Sequence, residues 1–322
     1  MGGVTKLNVT IMEQNRKHYL LIDGEGLLHQ SFHKFAKFHS PDGHPTGAIY
    51  GFFKSLHHYF YRFSADDVYV VFDNGHSKYR KEILPTYKAH RKTNISIDYS
   101  SLQKQKRVIM KILRMLRIKY IFDKRYTCNY EGDDFLAYLT LKYLPRKSKI
   151  TIITADKDFN QLLRGNTVKV FNPRKDQLIF ESNCKNIFGY SARETVDYLS
   201  LVGDSSDDIP GYIGIGEKKA RAFLDKYGSI QGYLDSDDYM KDDVGHEKMK
   251  AVKEKNTQLI DLKWFIEHHP IKDLPLKVYQ KNTIPFGAYK KLCIKYSLGS
   301  FLDNIFIRTF KQQIERSYGQ TN

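Results

Sequence analysis

An α/β fold, with a mainly parallel central sheet flanked by helices, follows from three features of the sequence. Five short apolar runs read as buried strands, helical patterns fill the gaps between them, and the strand signal stops near residue 201. The first run is YLLI (19–22). A helical pattern follows, with Ile49, Phe52, Phe53, Leu56, Tyr59 and Phe60 at helix spacing, and leads to VYVVF (68–72). A second helix places Val108, Ile109, Ile112, Leu113 and Leu116 on one face, with Lys104, Arg107, Lys111 and Arg114 among the remainder, and leads to KYIF (119–122). ITIIT (150–154) and VKVF (168–171) complete the set. Beyond residue 201 the chain is Gly-rich and then helical. The expected organisation is an N-terminal extension (1–17), an α/β domain (18–200) and a helical C-terminal region (201–322). The tail IRTFKQQIERSYGQTN reads as a frayed basic helix.

The chain has 322 residues and a formal net charge of +16, which points toward a polyanionic partner. The excess is local. Residues 76–125 hold fifteen Lys and Arg against three acids, Glu82, Asp98 and Asp123, which favours one binding surface over a scattered solvated shell. No apolar run is long enough to span a bilayer, and no membrane partner is expected. The first residues lack the apolar core of a signal peptide. Cys128, Cys184 and Cys293 are odd in number and far apart, which fits a reducing cytosol and neither a disulfide frame nor a zinc site.

Within this basic chain the acids are placed unusually. Asp23 ends LLID, Asp73 ends VVFD, and Asp156 and Asp158 follow ITIIT. In an open parallel sheet the carboxyl ends of the strands border the ligand crevice. One such Asp commonly does no more than cap the next turn; three strand ends alike are harder to explain that way. Glu131, Asp133 and Asp134 open the helix of YEGDDFLAYL, more acids than a dipole or a cap requires. A further group, Asp204, Asp207 and Asp208, lies at the domain boundary. If these acids converge they must take up protons or hold cations. Without a His or Cys pattern for zinc, oxygen ligation selects Mg²⁺ or Mn²⁺, and two such ions about 4 Å apart are the usual clamp for phosphodiester hydrolysis. A basic surface would hold nucleic acid and the acidic pit would cut it.

Five stretches, LLIDGEGLLH, VVFDNGHSKYRKEILPTYKAHR, YEGDDFLAYL, ITADKDFNQLL and VGDSSDDIPGYIGIGEKKA, resemble the 5′-nuclease (flap endonuclease) family in the family's own order, over roughly residues 18–228. The likeness extends to stand-alone bacteriophage enzymes and to the 5′-nuclease domain of bacterial DNA polymerase I. It implies a PIN-like core, one metal served by Asp23, Asp73, Glu131 and Asp133, and another by Asp134, Asp156, Asp158, Asp204 and Asp207. It implies that the basic segment, about 76–117, forms a helical arch. There Tyr79 and Tyr87 would stack on unpaired bases, and Arg80, Lys88, Arg91 and Lys92 would meet phosphates, with Arg80 and Lys88 at the scissile one. The catalytic set so implied is Lys88, Arg80, Asp73, Asp134 and Asp156. PGYIGIGEKKA would be a helix–hairpin–helix in which Gly214, Gly216, Lys218 and Lys219 grip duplex DNA, in the family often with a K⁺ ion. Two departures are visible. Gln30 stands where relatives commonly have Arg, with His33 or Lys34 as stand-ins, and Asp208 stands where they have Asn.

The resemblance thus implies a Mg²⁺-dependent structure-specific 5′ nuclease, flap endonuclease and 5′-3′ exonuclease, removing RNA primers and flaps in replication and repair. Its partners would be DNA with a 5′ flap or 5′ end and RNA–DNA primer junctions. A cytoplasmic, monomeric enzyme is expected, of a bacterial host if phage-encoded. It would work as a separate chain, since no polymerase region is seen, and replication proteins could recruit it. One alternative uses the same residues, a 5′-3′ exonuclease on RNA–DNA hybrids; the other, a catalytically inactive DNA-junction-binding protein, predicts gaps in the acid set, and the sequence has none.

Overall fold

The computed structural model describes residues 16–73, 75–90, 98–122, 129–145, 147–240, 245–279 and 283–319. Most of the N-terminal extension, and the arch residues Arg91 and Lys92, lie outside the described residues.

All five expected strands form, and they are the parallel strands of one sheet. β1 (His18–Asp23) lies at its centre, hydrogen-bonded to β2 (Asp67–Val71) on one side and β4 (Lys149–Ile153) on the other. β3 (Lys119–Ile121) extends the sheet beside β2, and β5 (Val168–Asn172) beside β4. Two short antiparallel edge strands had no readable signal: β6 (Gln177–Ile179) on β5 and β9 (Leu276–Lys277) on β3. The sheet order is β6-β5-β4-β1-β2-β3-β9. A separate two-residue ladder joins β7 (Gly203–Asp204) to β8 (Ile209–Pro210).

Helices cover both faces. On one face lie α1 (Gly24–Lys34), α2 (Gly47–Phe63) and, beyond the short α3 (Lys78–Ile83), α4 (Tyr99–Met115). On the other lies α5 (Gly132–Tyr138), which continues as a π turn over Leu139–Tyr143. α6 (Glu181–Phe188), α7 (Thr195–Val202), α8 (Glu217–Tyr227), α9 (Ile230–Leu234) and α10 (His246–Ile260) follow. α7 to α10 build a third core with Leu84 and Tyr87. α11 (Leu262–His268) returns to the α5 face through Leu262, Phe265 and Ile266.

The helix of the C-terminal tail is docked on the core rather than frayed. After α12 (Phe286–Lys295), α13 (Asn304–Tyr318) buries Phe306, Ile307, Phe310 and Ile314 against the α2 face. Phe306 stacks on Phe301 at 4.5 Å, and Phe310 meets Phe60 edge-on at 5.1 Å. The basic spelling of this helix describes its outer face; its apolar stripe at helical spacing closes the core. Among the described residues, no helix is long and apolar enough to cross a membrane.

The sheet register fixes where the acids emerge. Asp23 pairs with Val71, so Asp73 lies two residues further out on the neighbouring strand. Ile22 pairs with Ile153, which brings Thr154 beside Asp23 and Asp156 just beyond. Parallel strands all deliver their carboxyl ends to one edge, so these acids share one crevice.

Candidate active site

Asp23, Asp73 and Asp156 each accept a backbone hydrogen bond, and two of these bonds are caps. Asp23 caps α1, its Oδ1 accepting from Gly26 N–H at 2.7 Å, while its Oδ2 accepts from Thr154 Oγ1 at 3.1 Å. Asp156 caps the following 3₁₀ turn, accepting from Asp158 N–H at 2.9 Å. Asp73 Oδ1 accepts from the Gly132 N–H. A Cβ at Gly132 would come within 2.8 Å of that same oxygen, so any larger residue here must push the Asp73 carboxylate aside. Asp204 Oδ1 accepts from the Ser206 N–H and hydroxyl, each at 3.0 Å. A capping role and a place in the pit therefore coexist in the same side chains.

A cavity of about 620 Å³ opens at these strand ends, lined by Asp23, Asp73, Asp133, Asp156 and Asp204, with Glu25 and Lys88 among its other walls. The acids act on one another. Burial, with the charge of Asp156 adding to it, pushes the Asp23 carboxyl up to about 6. Burial and the Glu131 charge push Asp73 up to about 7. Asp133 rises well above the usual carboxylate range through burial and the charges of Asp156, Asp73 and Asp23. Asp156 is raised by burial, with Asp207 and Asp204 adding to it. Asp158 rises strongly through burial and the charges of Asp156, Asp204 and Asp207, and its Oδ1 is buried without a hydrogen-bond partner. These groups are short of positive charge.

The other acids fall elsewhere, and here the structure corrects the sequence reading. Asp134 points away from the cavity into the protein, fully buried. It accepts from the Glu131 N–H at 2.8 Å and takes both terminal nitrogens of Arg80, at 2.9 and 2.7 Å. A carboxylate so engaged closes a helix cap and an ion pair, and it is not among the residues that line the cavity. Arg80 in turn is not an arch cation. It is buried, donates through Nε to the Leu259 carbonyl at 3.0 Å, and lies over the Phe265 ring at 4.0 Å. Tyr87 is also buried, its hydroxyl 2.8 Å from Glu131 Oε2 and 3.1 Å from Asp207 Oδ2. Tyr79 stacks on His269 at 4.0 Å and packs against Tyr130 and Phe265, so its ring is engaged within the protein.

Among the described residues of this segment, Lys88 is the one that reaches the cavity. Its Nζ lies 2.9 Å from Glu131 Oε2 and 3.4 Å from Asp207 Oδ2, and its backbone adopts φ of 53°. A non-glycine residue in the left-handed region is costly and is kept where the surroundings enforce it. Burial alone would raise Glu131; Lys88, His76 and Arg80 override it and hold the carboxyl well below its ordinary range. Glu131 and Asp207 thus share the ammonium of Lys88, whereas among the described residues no ion pair reaches Asp23, Asp73, Asp133 or Asp156.

The helix–hairpin–helix segment is α7, the turn through β7 and β8, and α8. Gly214 (φ 84°) and Gly216 are exposed with open space above them, and Lys218 and Lys219 project from the start of α8. Gln30 lines the cavity, and it is His29, rather than the exposed His33 or Lys34, that joins it there. Asp208, at φ 57°, accepts from His90 N–H at 3.1 Å and sits 2.7 Å from His90 Nδ1.

Two residues were missed. Glu25, two positions after Asp23, lines the cavity; burial would raise its carboxyl, but His29 and Lys106 lower it. Lys106 is buried on α4, with Nζ 2.6 Å from Glu25 Oε2 and 2.9 Å from the Asp73 carbonyl. A signal for Lys106 was present. Leu102, Lys106, Ile109 and Leu113 share one helical stripe, and a lysine there must be buried with a partner.

Comparison with known proteins agrees with this architecture. The family described as "5′-3′ exonuclease, N-terminal resolvase-like domain" matches residues 18–189, and "5′-3′ exonuclease, C-terminal SAM fold" matches residues 190–281. The chain belongs to the 5′-3′ exonuclease family, the class of 5′ nucleases and flap endonucleases. It is similar to the 5′-3′ exonuclease of Aquifex aeolicus, 34% identical over 218 residues, 68% of this chain and 72% of that protein. It is also 33% identical over 260 residues to the thermostable DNA polymerase I of Thermus aquaticus, of which the match spans 29%. Among solved structures, the T5 D15 protein co-crystallized with metal ions shares the fold at a TM-score of 0.61 and 16% identity. It covers 93% of this chain and 99% of its own. Human GEN1 in complex with Holliday junction DNA has a TM-score of 0.57 at 14% identity, over 100% of this chain and 80% of that one.

Proposed function

We propose that this chain is a divalent-metal-dependent, structure-specific 5′ nuclease that hydrolyses phosphodiesters in branched or 5′-ended DNA. One observation carries the reading: Asp23, Asp73, Asp133 and Asp156 meet around one cavity, burial and neighbouring carboxylates raise them all, and among the described residues no cation forms an ion pair with them. Among the described residues, no three His, Cys, Asp or Glu side chains already stand in ligand geometry for one ion. The fit therefore rests on the donors: oxygen only, excess negative charge, and an orphaned carboxylate oxygen on Asp158. Asp23, Asp73, Asp133 and Asp156, with Asp158 and Asp204 beside them, are the residues that would hold Mg²⁺ or Mn²⁺.

When bound, such ions would supply an activated water and charge neutralisation at the leaving oxygen. The protein's own residues do the rest. Lys88, fixed between Glu131 and Asp207, presents an ammonium at the cavity wall, where it offsets negative charge that builds on a phosphate. Gly214, Gly216, Lys218 and Lys219 offer backbone N–H groups and charge to a duplex phosphate without reading bases. Relatives named 5′-3′ exonuclease, and structural neighbours solved with DNA substrate, support nucleic acid as the ligand. Removal of flaps and primers in replication and repair is the cellular role that fits this chemistry.

A 5′-labelled flap and a labelled RNA–DNA hybrid, incubated with Mg²⁺, Mn²⁺ or EDTA, test the proposal. Metal-dependent cutting of the flap, lost in Asp156→Asn with DNA binding retained, is expected. Cutting in EDTA, or full activity of Asp156→Asn, would refute it. Junction binding without any cutting would leave the inactive reading.

A further inference from the structure

Lys106 serves no binding face. It is 4% exposed, inside the apolar stripe of α4, and its nearest charged partner belongs to the wall of the acidic cavity. We propose that Lys106 is a positioning residue for the acidic pit, tying α4 to both the first turn of α1 and the end of β2. The inference rests on the reading of that pit as the metal and reaction site.

Three observations carry it. Lys106 Nζ donates at 2.6 Å to Glu25 Oε2 and at 2.9 Å to the main-chain carbonyl of Asp73. Asp73 is thereby gripped from two directions, its side chain by the Gly132 N–H and its peptide by a lysine from another helix. Glu25 in turn acts electrostatically on both Asp23 and Asp73. Its only ion-pair partners among the described residues are Lys106 and His29, the latter at 3.6 Å. The third observation is the packing of the ammonium. It lies over the rings of Phe72 and Phe122, 5.4 and 5.0 Å from their centroids, which fixes its place without adding negative charge.

A lysine serving only to neutralise Glu25 would not need the Asp73 carbonyl. Because it takes both, its loss has two separable effects. Glu25 is left without its closest cation at the edge of an already repulsive pit, and Asp73 is released from one of its two anchors. The first effect is electrostatic and is undone by also neutralising Glu25; the second is positional and is not. Groups that orient a metal ligand from behind commonly matter by about 10- to 100-fold in affinity or rate.

The experiment compares wild type, Lys106→Met, Glu25→Gln and the double variant in three measurements: thermal unfolding, Mn²⁺ binding followed by electron paramagnetic resonance, and flap cleavage in Mg²⁺. Lys106→Met should lower stability, weaken Mn²⁺ binding by about 10-fold and lower kcat by about 10- to 100-fold, with KM for DNA within about two-fold of wild type. The double variant carries no unpaired charge, so it should recover the stability while keeping the losses in Mn²⁺ binding and kcat. Recovery of Mn²⁺ affinity and kcat along with stability would overturn the proposal, because Lys106 would then only balance charge. So would wild-type Mn²⁺ binding and kcat in Lys106→Met. If wild-type protein binds Mn²⁺ but cuts no substrate, the nuclease reading fails and the Mn²⁺ series still decides the role of Lys106.

Discussion

Asp133 and Asp134 are adjacent and have opposite surroundings. Asp133 faces Asp23, Asp73 and Asp156 across the cavity, while Asp134 lies behind it in the two-pronged grip of Arg80. Removing the charge of Asp133 relieves repulsion, so Asp133→Asn should leave the metal-free protein as stable as wild type or more so while abolishing cleavage. Asp134→Asn leaves Arg80 with a neutral partner in a buried place, where breaking one side of an ion pair costs about 3–5 kcal/mol. Urea unfolding of both variants in EDTA reads this contrast, and equal destabilisation would show that Asp134 shares the role of Asp133. Gly132 belongs to the same scale. Its Cβ would meet Asp73 Oδ1 at 2.8 Å, so Gly132→Ala should displace that carboxylate and cut kcat at least about 10-fold. A Gly132→Ala enzyme with wild-type kcat would show that the pit tolerates the shift.

At the scale of elements, the five parallel strands were legible because a strand covered on both faces reads as an unbroken apolar run. β6 and β9 were not, because three- and two-residue edge strands carry no pattern. The acids at the strand ends were legible for the same reason as the strands. Which way α3 turned was not, since six residues make less than two turns and a cationic helix reads as solvated. Its inward face appears only once Glu131 and Asp134 arrive from α5, 51 and 54 residues away in sequence. α13 shows the converse case: its apolar stripe was present in the sequence and was outweighed by the basic residues around it. Phe310, wholly buried between Phe53, Phe60 and Phe306, gives the test. Phe310→Ala should cost about 3–5 kcal/mol in denaturant unfolding, whereas a frayed helix would lose almost nothing.

For the whole molecule, a formal charge of +16 surrounds a pit of uncompensated carboxylates, and pH and metal should act on the two together. Asp23 and Asp73 rise from 3.8 to about 6 and about 7, so between pH 4 and 7 the folded state binds more protons than the unfolded chain. Stability contributed by these groups is present at low pH and is lost as pH rises through that window. Divalent ions bind the ionised form and should restore it, so the gain in Tm on adding Mg²⁺ should grow from pH 5 to pH 8. A gain that does not change with pH would mean that the ions bind elsewhere. The most direct measurement of the central claim is anomalous diffraction from a crystal soaked in Mn²⁺. Peaks inside the cavity bordered by Asp23, Asp73, Asp133 and Asp156, with Asp134 still on Arg80, are the expected result. An empty cavity, with Mn²⁺ bound only at surface acids such as Asp237 and Asp238, would contradict the account.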